Sequence, residues 1–264
     1  MRFTKMHGLG NDYLYVYDAV PENIASLSQR LSERHFGAGS DGMIYIAPSK
    51  KADFSMRIFN ADGSEANMCG NGIRCVGKYV YDKGFTDKTR LTIETLSGIK
   101  TLRLHLKNGM VDRVTVSMGK AVVSAPQTLE IDGEAVAYVP VSVGNPHAVI
   151  FCENAEAAPL ETRGPAIEHH PAFPDGVNVE FVQVLSAREI RMRVWERGSG
   201  ITMACGTGAS ASTAAAVKSG LCMPDTPITV RLDGGALEIT VAPDGEITMT
   251  GPATFVYEGE TIGC

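Results

Sequence analysis

Hydrophobic and polar residues alternate in two stretches of the chain, and a turn signal interrupts each stretch. Residues 100–118 alternate on either side of Asn108-Gly109, and residues 236–249 alternate on either side of Asp244-Gly245. Alternation with a period of two is typical of a strand with one buried face, and Asn-Gly and Asp-Gly pairs favour tight hairpin turns. We therefore predict a β-hairpin in each stretch.

Four further segments are predicted as helices. Residues 21–34 and residues 165–170 each begin with a proline, which is favoured in the first turn of a helix. The other two segments follow the sequence Cys-Gly-x-Gly, which occurs at residues 69–72 and 205–208. In the first of these, apolar residues share one helical face and Gly84 can end the helix. In the second, residues 209–217 are small and apolar on nearly all sides, which indicates a buried helix.

The chain repeats itself at a spacing of 136 residues. Residues 56–109 align with the second copy without a gap, and five of the seven glycines in this window align with a glycine. So many matches are not expected by chance, because the chain has only 28 glycines among 264 residues. Upstream, the spacing becomes 137 at Asp41 and Asn178, and 134 at Asn11 and Asn145. A period this long indicates a duplicated domain.

The repeat predicts two similar halves, residues 1–118 and 119–250, with residues 251–264 packing back on the first half. The expected fold class is mixed α/β with α+β character. Each pseudosymmetric domain should be a mainly antiparallel sheet wrapped around a central helix, with the active site in the cleft between the domains.

Composition excludes several classes of protein. With 44% hydrophobic and 20% charged residues the chain is globular, and its net charge of −6, with acids and bases interspersed, argues against nucleic acid or an anionic membrane as a partner. The N-terminus has no apolar export segment, and no stretch reaches 18 apolar residues, so a cytoplasmic protein is expected. The six cysteines form no C-x-x-C and no Cys/His pattern, and no metal site is predicted.

The two Cys-Gly-x-Gly turns are the strongest candidates for chemistry. Glycines let backbone N–H groups at a helix start approach a ligand, and the helix N-terminus favours an anion such as a thiolate or a carboxylate. A cysteine in this position is expected to have a pKa below about 8.5 and to act as a base near neutral pH. One such turn alone is more often structural, but two equivalent turns favour a shared site for Cys69 and Cys205.

The two turns suit inversion of a carbon stereocentre. If the halves face each other about a pseudo-twofold axis, a carboxylate held by the N–H groups of both helix starts places its α-carbon between Cys69 and Cys205. Inversion needs a base on one face and an acid on the other, which a thiolate and a thiol supply. No cofactor is predicted, because no lysine lies in a recognisable cofactor motif.

Other polar residues suit a zwitterionic ligand. Asn60 and Glu196 occupy equivalent repeat positions, and Arg197 follows directly. Arg197 suits a carboxylate and Glu196 an ammonium group. Asn145, His147 and Asn178 are further candidates, although an isolated asparagine is more often a turn residue and an isolated histidine is more often structural.

At these residues the sequence resembles the diaminopimelate epimerases, which interconvert LL- and meso-diaminopimelate on the route to lysine and cell-wall peptide. The resemblance spans essentially the whole chain and is carried by six ordered motifs: KMHGLGNDY at 5–13, FNADGSE at 59–65, CGNGIRC at 69–75, GNPH at 144–147, ERG at 196–198 and ACGTG at 204–208. Gly42 stands where some members carry a ligand-contacting glutamine, and Trp195 replaces a more usual tyrosine, which we interpret as a packing change.

The resemblance implies a cofactor-independent homodimer with two pseudosymmetric domains. It implies Cys69 and Cys205 as the acid–base pair, tuned by His147 and Glu196. The implied substrate contacts are Asn11, Asn60, Gly70, Asn71, Asn145, Asn178, Glu196, Arg197, Gly206 and Thr207. The remaining cysteines, Cys75, Cys152, Cys222 and Cys264, match no functional position and are expected to be structural.

Three alternatives stay open at this point. A proline or hydroxyproline racemase would share the fold and the paired cysteines, but it would not need polar residues for a second charged end of the substrate. A dithiol redox protein would cycle through a Cys69–Cys205 disulfide. A binding protein would retain the fold without catalysis.

Overall fold

The computed structural model describes residues 1–262, so the predictions for Cys264 and for the end of the C-terminal segment lie outside the described residues. The chain divides into two compact units. Unit 1 consists of Met1–Val116 with the C-terminal segment from Gly251, and unit 2 consists of Ser117–Thr250.

The two units contain 19 strands and four helices among the described residues. The helices are α1 (Ile24–Ser32), α2 (Gly70–Asp82), α3 (Leu160–Glu168) and α4 (Gly206–Lys218). The first nine strands are β1 (Arg2–Gly8), β2 (Asn11–Tyr17), β3 (Gly42–Pro48), β4 (Phe54–Asn60), β5 (Glu65–Ala66), β6 (Arg90–Thr95), β7 (Gly98–Lys107), β8 (Met110–Lys120) and β9 (Val122–Val123). The other ten are β10 (Gln127–Ile131), β11 (Glu134–Ser142), β12 (Pro146–Phe151), β13 (Asn178–Ser186), β14 (Glu189–Glu196), β15 (Gly200–Ile201), β16 (Ile228–Leu232), β17 (Gly235–Val241), β18 (Glu246–Pro252) and β19 (Thr254–Glu260).

The two units have the same strand topology. In unit 1 the hydrogen-bonded order is β19-β1-β2-β3-β4-β6-β7-β8, and only the pairs β2–β3 and β4–β6 are parallel. In unit 2 the order is β10-β11-β12-β13-β14-β16-β17-β18, and only β12–β13 and β14–β16 are parallel. A parallel pair needs a long crossover, which a helix supplies in each case. The mainly antiparallel, duplicated α/β fold is therefore confirmed.

The sheet of each unit is covered on both faces, which explains the continuous apolar runs in its inner strands. In unit 1, Leu14 and Val16 pack with Leu27 and Leu31 of α1 in one apolar cluster. The intervening Tyr15 points the other way and donates to the carbonyl of Gly72 on α2 at 3.3 Å. Helix α1 thus lies on one face and α2 on the other.

The central helix of unit 2 is buried because its side chains are small. Helix α4 packs against strands β11, β12, β13, β14 and β17, and its residues from 208 to 216 are all buried. Two of its interior hydroxyls bond back to the helix itself: Ser210 donates to the carbonyl of Gly206, and Thr213 to that of Ala209, both at 2.9 Å. These bonds satisfy polar side chains inside a dry core.

Both predicted hairpins are confirmed. β7 and β8 are joined by Asn108 and Gly109, whose φ angles of 53° and 80° fit a tight two-residue turn. β17 and β18 pair across a turn that ends at Gly245. The helices after both Cys-Gly-x-Gly motifs are also confirmed, and Gly84 follows the end of α2 with a φ of 76°.

Two predicted helix boundaries are wrong. Helix α1 begins at Ile24 rather than at residue 21, because the chain first makes a turn in which Ile24 N–H bonds to the carbonyl of Pro21. Helix α3 begins at Leu160, five residues before Pro165, which lies inside the helix. Leu160 and Ile167 are both buried in the apolar cluster of unit 2, and this packing stabilises a short helix despite the proline.

No helix among the described residues is long and apolar enough to cross a membrane.

Candidate active site

The predicted site residues fall into two groups, one in each unit. The N-terminal half-site comprises Asn11, Asn60, Cys69, Gly70 and Asn71. The C-terminal half-site comprises Asn145, His147, Asn178, Glu196, Arg197, Cys205, Gly206 and Thr207. Within each unit, the strand ends and the first turn of the central helix bring these residues together.

Cys69 caps the N-terminus of α2. Its backbone is extended, with φ −134° and ψ 115°, and its sulfur accepts the N–H of Gly72 at 3.3 Å. The thiol also lies 3.3 Å from Oδ1 of Asn11, to which it donates. Gly70 and Asn71 form the first turn of the helix, and both are buried. Cys69 is only partly buried.

Asp41, which the sequence reasoning did not assign to the site, orients Asn11. Its Oδ2 accepts from Nδ2 of Asn11 at 2.9 Å and from the N–H of Asp12 at 3.0 Å. With Nδ2 bound in this way, Oδ1 of Asn11 is directed to the Cys69 sulfur. Burial raises the pKa of Asp41. The one signal in the sequence was the repeat, which aligns Asp41 with the candidate Asn178.

Asn60 ends strand β4, at the repeat position of Glu196. Its backbone N–H bonds to the carbonyl of Ser64 at 2.8 Å, and its Nδ2 donates to Oγ of Ser64 at 3.1 Å. A tight turn therefore fixes the side chain.

Cys205 caps α4 in the same way that Cys69 caps α2. Its backbone has φ −117° and ψ 111°, and its sulfur accepts the N–H of Gly208 at 3.3 Å. The hydroxyl of Thr207 lies 3.5 Å from the sulfur. The two caps match at the cysteine and at both glycines, as the repeat predicts, and differ at Asn71 and Thr207.

The expectation of a lowered thiol pKa is wrong for Cys205. Burial raises its pKa well above the ordinary value, and the carboxylates of Glu196 and Glu180 raise it further. The bond from Gly208 N–H lowers it but does not outweigh these effects. Cys205 does lie at the start of a helix, which by itself would lower its pKa. Because the residue is only 4% exposed, the loss of hydration outweighs the effect of the helix. Cys205 therefore holds its proton at neutral pH.

Glu196 and Arg197 lie at the end of β14 and in the turn that follows it. Glu196 accepts from the hydroxyl of Thr202, and burial raises the pKa of its carboxyl group. The backbone N–H of Arg197 donates to Oδ1 of Asn178 at 3.1 Å, and its guanidinium donates to the carbonyl of Asp175 at 3.0 Å.

Glu168 on α3, also missed from sequence, holds this turn. It accepts from the N–H of Gly198 at 2.8 Å and from the indole N–H of Trp195 at 2.6 Å.

His147 and Asn145 connect to Thr207 through hydrogen bonds. Nε2 of His147 lies 3.1 Å from Oδ1 of Asn145, whose Nδ2 donates to the hydroxyl of Thr207 at 3.4 Å. On its other side, Nδ1 of His147 lies 2.7 Å from Oε1 of Glu180, and both side chains are fully buried. Glu180 was not assigned to the site from sequence.

The described residues contain no group of three or more His, Cys, Asp or Glu side chains that could hold a metal ion.

Comparison with known proteins decides the family. The family model for diaminopimelate epimerase matches residues 3–124 and 139–256. The chain belongs to the diaminopimelate epimerase family. It is 52% identical to the diaminopimelate epimerase of Bacteroides thetaiotaomicron over 270 residues, covering all of this chain and 98% of that protein. It is 49% identical to that of Acetivibrio thermocellus over 276 residues, covering 98% of each chain. The prediction of an isomerase of this family is therefore confirmed.

Solved structures share the fold at much lower identity. A probable proline racemase from Agrobacterium radiobacter, with bound carbonate, has a TM-score of 0.75 at 17% identity and covers all of this chain and 93% of its own. A hydroxyproline epimerase from Agrobacterium vitis, with bound trans-4-hydroxy-L-proline, has a TM-score of 0.72 at 18% identity, covering 98% of this chain and 91% of its own. These likenesses establish the fold alone, so the fold does not separate diaminopimelate epimerases from proline racemases.

Proposed function

We propose that the chain interconverts LL- and meso-diaminopimelate by proton transfer at one α-carbon, with Cys69 and Cys205 as the acid–base pair. The observation that carries this proposal is the matched geometry of the two helix caps. In each unit a cysteine precedes the central helix, and its sulfur accepts a backbone N–H at 3.3 Å, from Gly72 in one unit and Gly208 in the other.

The raised pKa of Cys205 favours its thiol form. In the direction that starts from this form, Cys205 is the acid and Cys69 is the base. In the reverse direction the two cysteines exchange roles, and their protons titrate as a coupled pair.

The remaining site residues would bind the zwitterionic substrate. The N–H groups of Gly70, Asn71, Gly206 and Thr207 lie in the first turns of the two helices, where they suit the carboxylate next to the reacting carbon. Asn11, Asn60, Asn145 and Asn178 would contact the polar groups of the substrate. Glu196 would accept an ammonium group, Arg197 would bind a carboxylate, and His147 and Glu196 would tune the cysteines.

The same proposal extends to the setting of the enzyme. We propose a cofactor-independent homodimer that acts in the cytoplasm, on the route to lysine and cell-wall peptide, without a nucleic-acid partner. Sedimentation of the purified protein would test the dimer against the 28.2 kDa of one chain.

Incubation in deuterated water tests the activity. LL-diaminopimelate should gain deuterium at the α-carbon and form the meso isomer, and L-proline should remain unchanged. Deuteration of proline alone would make the chain a proline racemase, and binding of diaminopimelate without exchange would make it a binding protein. Oxidation to a disulfide should abolish the activity and a reductant should restore it, whereas a dithiol redox protein would need the disulfide.

A further inference from the structure

A fully buried carboxyl group, that of Glu180, lies behind the C-terminal half-site. It extends from β13, and its Oε1 is 2.7 Å from Nδ1 of His147 on β12. It also packs against the first turn of α4, because a Cβ added at Gly208 would lie only 2.8 Å from Oε1 and 3.2 Å from the sulfur of Cys205. The carboxyl group of Glu180 therefore lies next to the cysteine cap of α4.

The hydrogen bonds around His147 require a proton between the side chains of His147 and Glu180. Asn145 donates to Thr207 through Nδ2, so its Oδ1 accepts from Nε2 of His147. With a proton already on Nε2, the 2.7 Å contact between Nδ1 and Oε1 needs a second proton, on either atom. In both cases the pair as a whole carries no net charge.

The burial of Glu180 favours the same arrangement. Its Oε2 has no hydrogen-bond partner among the described residues, and the residue is 0% exposed. A buried carboxylate with a single donor is costly unless its charge is neutralised. The proton shared with His147 supplies that neutralisation.

The other copy of the repeat lacks this pair. Tyr13 occupies the position of His147, whereas Asn11 and Cys69 keep the identity of Asn145 and Cys205. Ile44 occupies the position of Glu180: it pairs with Ile58 as Glu180 pairs with Val194, and a Cβ added at Gly72 would lie 2.7 Å from its Cδ1. Tyr13 and Ile44 are both buried in unit 1, and neither carries a carboxyl group. The duplicated fold thus does not require Glu180. A role specific to the C-terminal half-site would explain why unit 2 buries the ionisable pair of His147 and Glu180.

We propose that Glu180 is a positioning residue: it shares one buried proton with His147 and so holds the chain His147–Asn145–Thr207 that places a hydroxyl beside the Cys205 sulfur. This inference rests on the proposed epimerase function, because it assigns Glu180 to the support of that site. Glu180 acts through His147 and does not contact the substrate.

Two substitutions separate the position of Glu180 from its charge. Glu180→Gln keeps the length, and its amide can donate to Nδ1 while His147 keeps its proton on Nε2. We expect kcat/KM to stay within about threefold of wild type because the hydrogen-bond chain remains complete. Glu180→Asp keeps the acid but withdraws it by about one C–C bond, roughly 1.5 Å. We expect kcat/KM to fall on the order of tenfold to hundredfold, because the support of Thr207 is misplaced.

Asp82→Asn is a matched control. Asp82 is also a buried carboxylate, bonded to Lys78 at 2.7 Å and to the N–H of Val111 at 2.9 Å in unit 1. The Asp82→Asn variant should have a lower Tm than the wild type and an unchanged kcat/KM. Nitrogen-15 NMR of histidine-labelled protein should also show His147 protonated at Nε2 in both the wild type and Glu180→Gln.

The outcomes distinguish this inference from the proposed function. If the wild-type protein does not exchange the α-proton of diaminopimelate, the proposed function fails. If the wild type is active but Glu180→Asp keeps its rate while Glu180→Gln loses it, charge rather than position matters and the inference is overturned. An unprotonated Nε2 of His147 in the wild type also overturns it.

Discussion

The hydrogen bond between Trp195 and Glu168 should be one of the most important single polar contacts in unit 2. The indole N–H donates to Oε2 of Glu168 at 2.6 Å, and Glu168 is 5% exposed. A hydrogen bond to a charged group contributes about 1.5–3 kcal/mol. Trp195→Phe removes the donor and leaves the buried oxygen without it, so we expect the free energy of unfolding to fall by about 2 kcal/mol, plus the loss from the smaller ring.

A double-mutant cycle isolates the hydrogen bond from the change in ring size. Trp195→Phe, Glu168→Ala and the double variant should be unfolded in urea, and the coupling energy should be about 1–2 kcal/mol. Tyr138→Phe is a matched control in the same unit, because the phenol donates to a neutral acceptor, Oε1 of Gln127, at 2.7 Å. Its cost should be nearer 1 kcal/mol.

The carboxylate of Glu168 should also affect substrate binding. Oε1 of Glu168 accepts from Gly198, so the carboxylate holds the turn that carries Glu196 and Arg197. Glu168→Ala should raise KM for diaminopimelate more than it lowers kcat, because it loosens binding groups rather than the acid–base pair. A coupling energy below 0.5 kcal/mol, or an unchanged KM in Glu168→Ala, would refute this account of the turn.

Two further predictions concern Asp41 and Cys75. Asp41→Ala should lower kcat/KM on the order of tenfold, measured by the epimerase assay, because Nδ2 of Asn11 loses its acceptor and Oδ1 is no longer oriented toward the sulfur of Cys69; an unchanged rate would show that Asn11 needs no such support. Burial raises the pKa of Cys75 from 9.0 to about 11, so its thiol favours folding at neutral pH, and that contribution should be lost as the pH rises from about 9 through 11. As the pH rises through this range, the free energy of unfolding should fall by about 3 kcal/mol less in Cys75→Ala than in the wild type. Parallel curves of unfolding free energy against pH for the two proteins would contradict the assignment.

The periodic elements and the duplicated fold could be predicted from sequence because their signals are local or recur along the chain. Alternation around Asn108-Gly109 fixed one hairpin, and the small residues of 209–217 identified the buried helix. The start of α3 could not be predicted, since the packing of Leu160 against a distant sheet outweighs the local signal of Pro165.

The candidate site was predictable only as far as its motifs extend. Cys69 and Cys205 were found because both caps repeat the same four-residue pattern. Asp41, Glu168 and Glu180 support the site from other parts of the two units, so their roles depend on contacts between residues far apart in sequence. The raised pKa of Cys205 depends on its burial and on the carboxylates of Glu196 and Glu180, and only Glu196 was assigned to the site from sequence.

The position of deuterium at low conversion tests the two-base scheme most directly. LL-diaminopimelate should be incubated with the enzyme in deuterated water, and both isomers should be analysed by mass spectrometry before one tenth of the substrate has reacted. If Cys69 and Cys205 act from opposite faces, as proposed, each meso molecule should carry one solvent deuterium at the inverted carbon, and the unreacted LL isomer should carry almost none. Retention of the original hydrogen in the meso product would mean that a single base moves the proton, and it would contradict the account.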